Sequence, residues 1–271
     1  MEMNSKLAVL GAGKMGGTLI KALREAGLFQ AEQIIATARH AERVEEIAQR
    51  LGVTAMSNNI AAVQQAGIVL LGIKPQAMRE VLAEIKPHVR PHHLVISIVA
   101  SATTAFIEKY LEANIPVVRA MPNTPSLIGA GMTVLCAGKH ATPEHLTQAR
   151  RLFDAVGRTL ILDEKHMDAV TALSASGPAF IYVVLESLAE GGVKVGLPRN
   201  VATELAAQMC HGAAKMVLDT EAHPALLKDA VTTPAGCTID GLLKLEEGGL
   251  RVTLIKAVVE STHRAAELIS T

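Results

Sequence analysis

Neither sign of charge predominates in this chain: 26 basic and 26 acidic side chains over 271 residues leave a formal net charge of +0. No global field therefore draws it to nucleic acid or to an anionic membrane, and neither is expected as a partner. Cysteine is scarce and odd in number. Cys136, Cys210 and Cys237 form no Cys-x-x-Cys pair, so neither a disulfide framework nor a zinc cluster is indicated. No histidine pair has metal-ligand spacing on one face, and no metal is expected. The start, Met1-Glu2-Met3-Asn4-Ser5-Lys6, runs straight into a strand without the charged and apolar regions of a secretory leader, which makes a cytoplasmic location the expectation. Long apolar runs are missing as well. The richest later stretch, Ala179 to Leu185, is cut by Glu186 and Ser187, short of the roughly 20 residues that a membrane span takes. Solenoid repeats and low-complexity tracts are absent. What the chain does have is apolar bulk: 49% hydrophobic residues imply a substantial core, arranged as one large domain or two ordinary ones.

The most informative segment is glycine-rich. Lys6-Leu7-Ala8-Val9-Leu10 is short and apolar enough for a buried parallel strand, and it ends in Gly11-Ala12-Gly13-Lys14-Met15-Gly16-Gly17. Leu19, Ile20, Leu23 and Ala26 then recur at helical spacing, with Gly27 as a stop. Gly11 suits the tight turn, Gly13 lets the backbone approach a pyrophosphate, and Gly16 lets the helix lie close on the strand. The helix N-terminus faces the anion. Glycines also punctuate ordinary turns, but strand before and helix after are the context that a dinucleotide site requires.

Further strand-like runs follow at Gln33–Ala38, Val53–Ala55, Ile68–Ile73, Leu94–Ile98, Val117–Ala120, Thr133–Ala137 and Thr159–Leu162. Helical spacing lies between them at Glu42–Leu51, Ile60–Ala66 and Met78–Ile85. This alternation predicts a Rossmann-type α/β domain, a doubly wound parallel sheet, over residues 1–163. After Asp163 the strand signals stop. Helical patterns at His166–Ala175, Ala179–Lys194, Val201–Leu218, Ile239–Glu246 and Arg251–Ile269 predict an all-α domain over 164–271. The Ala179–Leu185 helix is apolar nearly all round, which in so small a domain points to burial against a second copy and so to a homodimer.

The end of the second strand selects the coenzyme. Ile35-Ala36-Thr37-Ala38-Arg39 lacks the acidic residue that takes the ribose of NAD. The Thr37 hydroxyl and Arg39 guanidinium suit a 2′-phosphate, so NADPH is favoured over NADH, with Glu42 left as an alternative ribose contact. Gly72-Ile73-Lys74-Pro75 and Val99-Ala100-Ser101 follow two more strands, at the carboxyl ends where open sheets bind ligands.

Two polar breaks in the helical domain are candidates for a small-molecule substrate. Thr171-Ala172-Leu173-Ser174-Ala175-Ser176-Gly177-Pro178 interrupts two apolar helices. Thr232-Thr233-Pro234-Ala235-Gly236-Cys237-Thr238-Ile239-Asp240-Gly241 leads into another, so that N–H groups near Gly236, Cys237 and Thr238 face outwards and suit a carboxylate. The plainer alternative is that Ser176 and Thr238 cap helices.

Taken together, Gly11-Ala12-Gly13-Lys14-Met15-Gly16, Lys74-Pro75-Gln76, Arg119-Ala120-Met121-Pro122-Asn123-Thr124-Pro125, Ser174-Ala175-Ser176-Gly177-Pro178-Ala179, His223-Pro224 and the Thr233-to-Leu242 segment resemble the pyrroline-5-carboxylate reductase family. The resemblance runs from Lys6 to Leu268. It implies NAD(P)H-dependent reduction of Δ1-pyrroline-5-carboxylate to L-proline by an intertwined dimer, assembled further in some members. By position it implies coenzyme contacts from the glycine loop, Thr37, Asn59, Gly72 to Pro75 and Val99 to Ser101. Glu164, Cys237 and Thr238 would lie at the substrate, joined by Ser176, Thr233 and Gly236 of the polar breaks, with the Thr238 hydroxyl at the ring nitrogen. By itself Asn59 reads as a helix N-cap. Ala175, Ala235 and Ser101 stand where the family commonly has glycine, so the first two turns are expected to differ slightly. A reductase of a related cyclic imine, a β-hydroxyacid-dehydrogenase-like enzyme and a dinucleotide sensor without turnover are the alternatives.

Overall fold

The computed structural model describes residues 5–100, 102–112 and 114–267. Ser101, one of the expected coenzyme contacts, lies outside the described residues. Eight strands form one sheet in the order β3-β2-β1-β4-β5-β6-β7-β8. They are β1 (Leu7–Leu10), β2 (Ile34–Thr37), β3 (Thr54–Met56), β4 (Ile68–Leu71), β5 (Leu94–Ser97), β6 (Val117–Met121), β7 (Gly131–Ala137) and β8 (Gly157–Ile161). Strands β1, β2, β4, β5 and β6 are buried along their whole length. That is why, Arg119 of β6 apart, they read as nearly continuous apolar runs with no alternation. Successive residues still serve opposite faces: Leu7 and Val9 join one core cluster with Leu19, Ile20 and Ile47, and Ala8 and Leu10 join another with Leu82, Ile85 and Ile107. Helices α1 (Lys14–Glu25), α2 (Ala41–Leu51) and α6 (Pro143–Asp154) cover the first face, and α3 (Asn59–Gln64), α4 (Met78–Ile85) and α5 (Thr104–Leu111) the second.

The expected all-parallel sheet needs one correction. β7 runs antiparallel to β6, while β7 and β8 are parallel. Only residues 122–130 separate β6 from β7, fewer than the dozen or so that a parallel crossover takes. The chain turns through a short 3-10 helix at Thr124–Ile128 and pairs back on itself.

The rest is helical: α7 (Met167–Val170), a π-helical turn (Thr171–Ala175), α8 (Gly177–Lys194), α9 (Arg199–Thr220), α10 (Pro224–Ala230), α11 (Cys237–Glu247) and α12 (Leu250–Glu267). The expected break at Ser176-Gly177-Pro178 is a bend and not an interruption. The wider π turn lets the Ser176 N–H donate to the Thr171 carbonyl at 2.9 Å, and Pro178 lies in the first turn of α8, where its missing N–H costs little. Ser176 therefore caps no separate helix. The apolar stretch is correspondingly longer than the sequence indicates. Glu164–Lys194 is a helical run of 31 residues, long and apolar enough by length and composition to cross a membrane, a test that core and interface helices of soluble proteins also pass.

By packing, the described residues form two compact units, one up to Ser176 together with those from Ser261 on, and one of Gly177–Glu260. The second has hardly any interior. Its fully buried residues are Ala189, Ala202 and Ala206, whereas Ile181, Tyr182, Val183, Leu205, Met209, Leu243 and Ile255 are exposed.

Cys136 on β7 is fully buried in the first unit. Burial first, and the Glu164 carboxylate second, push its thiol from 9.0 up to about 12, against the opposing Arg119 charge. The unfolded chain ionises this thiol from about pH 9, the native protein only near 12, so its contribution to stability is complete below pH 9 and lost as pH rises towards 12. Urea midpoints measured from pH 8 to 11 are expected to fall more steeply for the parent than for Cys136→Ala; equal slopes would contradict this.

Candidate active site

Strand register places the expected coenzyme residues along one edge. Thr37 pairs with Leu10, Leu10 with Leu71, Leu71 with Ser97 and Ser97 with Arg119. The loops beginning at Gly11, Gly72 and Ile98 thus leave the sheet side by side at its carboxyl end, where ligands of such sheets bind. A groove of about 1270 Å³ runs elsewhere, along the outer face of α1 past Lys21, Arg24 and Ile128. Of the residues expected at the coenzyme it includes only Lys14.

The glycine loop fits a pyrophosphate. Gly11 has φ +83°, and a Cβ there would stand 2.8 Å from Ile73 Cγ2 and 3.0 Å from the Gly72 carbonyl oxygen. A Cβ on Gly13 would meet nothing within 4 Å, so that side of the loop is open. Gly13 is the N-cap of α1 and supplies no capping side chain. The N–H groups of the first turn are left facing that space, an arrangement suited to an anion.

Next to this cradle, the buried Thr37 hydroxyl accepts from the Gly11 N–H at 3.3 Å and donates to Asn59 Oδ1 at 2.7 Å. Asn59 Nδ2 donates in turn to Glu84 Oε2 at 2.8 Å. Asn59 is not the helix cap: Asn58 is, accepting from the Ala61 N–H at 2.9 Å. Arg39, beyond β2, pairs with Glu80 of α4 at 3.0 Å, and both are exposed. Lys74 is exposed at the start of the turn Pro75–Ala77. Val99 is buried, and Ala100 is exposed.

Behind the Val99–Ala100 loop is a group that the sequence reading quoted within a motif but gave no role. Arg119 is 1% exposed. Its Nη2 donates to the Ala100 carbonyl at 2.5 Å and its Nη1 to Glu164 Oε1 at 3.3 Å, while Nε has no partner among the described residues. The Glu164 carboxylate also accepts from the Thr104 N–H at 2.8 Å and the Thr104 hydroxyl at 2.5 Å, at the start of α5. Glu164 thus serves a buried cation and a helix N-terminus. The signal was available: Val117-Val118-Arg119-Ala120-Met121 sets one charge in an otherwise apolar strand. Asn123 is a second such residue. Its Nδ2 donates to the Ser174 carbonyl at 3.2 Å and its Oδ1 accepts from the Met132 N–H at 2.9 Å, which holds the π turn to β7.

In the second unit, Thr233, Gly236, Cys237 and Thr238 come together at the start of α11. The Gly236 N–H donates to the Thr233 carbonyl at 3.0 Å, and a Cβ on Gly236 would clash with Thr233 Oγ1. Gly236 is the N-cap, without a side-chain hydrogen bond. Thr238 is inside the first turn, which corrects its reading as a cap, and the helix begins at Cys237, ahead of the expected Ile239. Cys237 is exposed and Thr238 half-buried. Ala235 takes φ +56°, the left-handed conformation that glycine tolerates best. That turn therefore keeps a glycine's backbone shape, and Ala175, in the π turn, has no positive φ.

A coenzyme cradle in a Rossmann-type sheet, followed by helices that leave their apolar faces open, defines a dinucleotide-dependent oxidoreductase with a helical association domain. Comparison with known proteins agrees. A family model described as NADP oxidoreductase, coenzyme F420-dependent, matches residues 6–101, and one described as pyrroline-5-carboxylate reductase dimerisation matches 164–268. Pyrroline-5-carboxylate reductase of Methanosarcina acetivorans is 41% identical over 265 residues, covering 98% of each chain. The solved reductase of Coxiella burnetii is 33% identical with a TM-score of 0.92, over 99% of this chain and 100% of that one. The Plasmodium falciparum enzyme, solved with NADP bound, is 29% identical with a TM-score of 0.89, over 99% and 100%. The chain belongs to the pyrroline-5-carboxylate reductase family.

Two outcomes follow from the site's geometry. Glu164→Gln strands the Arg119 charge and is expected to cost about 3–5 kcal/mol in urea denaturation. Glu164→Gln combined with Arg119→Met should cost less than Glu164→Gln alone, since no buried charge is left over; a larger loss in the double variant would show that the pair matters by packing. Ala235→Gly removes the left-handed strain at a smaller cost in chain entropy and should raise stability by about 0.5–1 kcal/mol. A loss of stability would count against strain at Ala235.

Proposed function

We propose that the protein reduces Δ1-pyrroline-5-carboxylate to L-proline in the cytoplasm, with NADPH as the preferred reductant and NADH as the weaker one. The observation that carries this reading is similarity along the whole chain, from the glycine loop through the start of α11, to reductases of that name. When bound, the nicotinamide supplies a hydride to the imine carbon of the ring. The loop of Gly11 to Gly16 binds the pyrophosphate through backbone N–H groups, and Gly72 to Pro75 with Val99 and Ala100 flank the remainder. Thr37 and Asn59 hold the loop in shape, and Arg39 takes the 2′-phosphate.

At the substrate, the N–H groups of Cys237 and Thr238 hold the carboxylate, Gly236 giving its own N–H to Thr233 and leaving the approach open, and the Thr238 hydroxyl hydrogen-bonds the ring nitrogen or a water beside it. A protonated imine is already electrophilic, so the chain's task is orientation and exclusion of water. Cys237 needs no role as a nucleophile. Thr233 shapes the turn, Ser176 ends the π turn, and Glu164 acts through Arg119. The functional boundary falls at Asp163/Glu164, where the dimerisation model begins, although residues 164–176 pack with the first unit. A homodimer completes the open helical faces, and dimers associate further.

The test is NADPH oxidation with pyrroline-5-carboxylate beside its six-membered-ring analogue. Fast turnover of the five-membered ring is expected, and turnover of the larger ring alone, or of neither, would overturn the reading. Thr238→Ala should lower kcat/KM by about 10²–10³ with the Kd for NADPH unchanged, and Thr238→Ser should retain most activity. Near-parent activity of the Ala variant would refute the role of this hydroxyl.

A further inference from the structure

We infer that Glu80 sets the coenzyme selectivity of this protein by holding Arg39 across the adenosine end of the cleft. The inference rests on the assignment of Arg39 to the 2′-phosphate. In the sheet, β2 and β4 flank β1 on its two sides. Arg39 stands just beyond β2, and Glu80 is in the first turn of α4, beyond β4. Their 3.0 Å ion pair therefore joins segments that follow the strands on either side of β1, whose own carboxyl end opens into the glycine loop. With Arg39 assigned to the 2′-phosphate, it is a strap beside the space that an adenosine ribose enters.

A second carboxylate lies one turn on. Glu84 accepts from Asn59, which holds Thr37. Glu80 and Glu84, four residues apart on one face of α4, thus tie down Arg39 directly and, through Asn59, Thr37 at the end of β2, the two residues that sequence reading assigned to a 2′-phosphate. The acid missing from the end of β2 is supplied to this corner from the neighbouring helix. The two ties differ in consequence. Asn59 presents its amide to Glu84 and its oxygen to Thr37, a closed set of neutral-to-charged hydrogen bonds beside a buried hydroxyl. Arg39 and Glu80 are both largely in solvent, with side-chain exposures of 63% and 70%, so their pair is readily exchanged.

A 2′-phosphate approaches a guanidinium whose Nη2 already serves Glu80; the remaining N–H donors of the fork are open to it, but it meets the Glu80 charge beside them. NADH carries no such group and leaves the strap in place. Glu80 thereby weakens NADPH and leaves NADH alone, which narrows the gap between the two coenzymes. An exposed pair of this kind changes an affinity by about two- to fivefold.

The experiment is coenzyme binding to the whole purified protein, with Kd for NADPH and for NADH measured separately by titration of nicotinamide fluorescence at low salt. Glu80→Gln is expected to tighten NADPH about threefold or more with NADH unchanged within about twofold. Arg39→Ala should weaken NADPH and spare NADH. If Arg39→Ala acts on NADPH alone while Glu80→Gln changes neither coenzyme, Arg39 keeps its phosphate and the role of Glu80 is overturned. If Arg39→Ala alters both coenzymes equally, the assignment of Arg39 and the strap fall together. An equal shift of both coenzymes in Glu80→Gln also overturns the proposal.

Discussion

A guanidinium that is 1% exposed inside a sheet is the constraint around which the first unit is organised. An unpaired charge in that position would cost several kcal/mol, so the Arg119 charge must be met, and both of its terminal nitrogens are. The Ala100 carbonyl meets it from the loop after β5, and Glu164 meets it from the link that leaves β8. Because the same carboxylate closes the N-terminus of α5 through Thr104, one charge pair joins β6, the β5 loop, α5 and the entrance to the helical half. Cys136, opposite Arg119 in the β6–β7 register, keeps its thiol protonated through burial first and the Glu164 carboxylate second, against the Arg119 charge. The shape of the loop after β5 and the shape at the beginning of the helices are thus tied to one interaction.

The strands were legible because a buried parallel strand admits little but apolar residues, and the strand edges moved by only a residue or two between expectation and structure. The glycine loop was legible for a different reason: its conformation, φ +83° at Gly11 with neighbours at 3 Å, excludes other side chains. The direction of β7 was open to the same kind of reading, since 122–130 is too short for a crossover, but strand runs alone carry no direction. Helices α5 and α6 were not singled out, although Thr142-Pro143 opens α6 with a capping box. Pairings between distant segments were out of reach. Asn59 with Thr37, Glu80 with Arg39 and Glu164 with Arg119 join residues separated by 22 to 45 positions, and no local pattern encodes such partners. The π turn was hidden for a further reason: Gly177-Pro178 is ordinarily punctuation, and only the extra width of the preceding turn lets the helix proceed.

At the segment proposed for the substrate, the start of α11 has features of two kinds. A glycine before the helix and hydroxyls around it suggested an anion site, and the backbone leaves the first turn of α11 without a capping side chain. Ala235 keeps the left-handed geometry at an energetic cost. Strain of this sort persists where the surrounding structure over-determines a shape, and here the shape is the approach of the chain to Gly236.

The scarcity of interior in residues 177–260, three alanines against a long roll of uncovered aliphatic side chains, changes what stability means for this half of the molecule. A domain whose apolar faces find cover only on a partner has a folding free energy tied to association and subject to mass action. Its melting point is then a property of the solution as much as of the chain. Dilution acts as a denaturant, and the cell's level of expression becomes one of the variables that keep the helices folded.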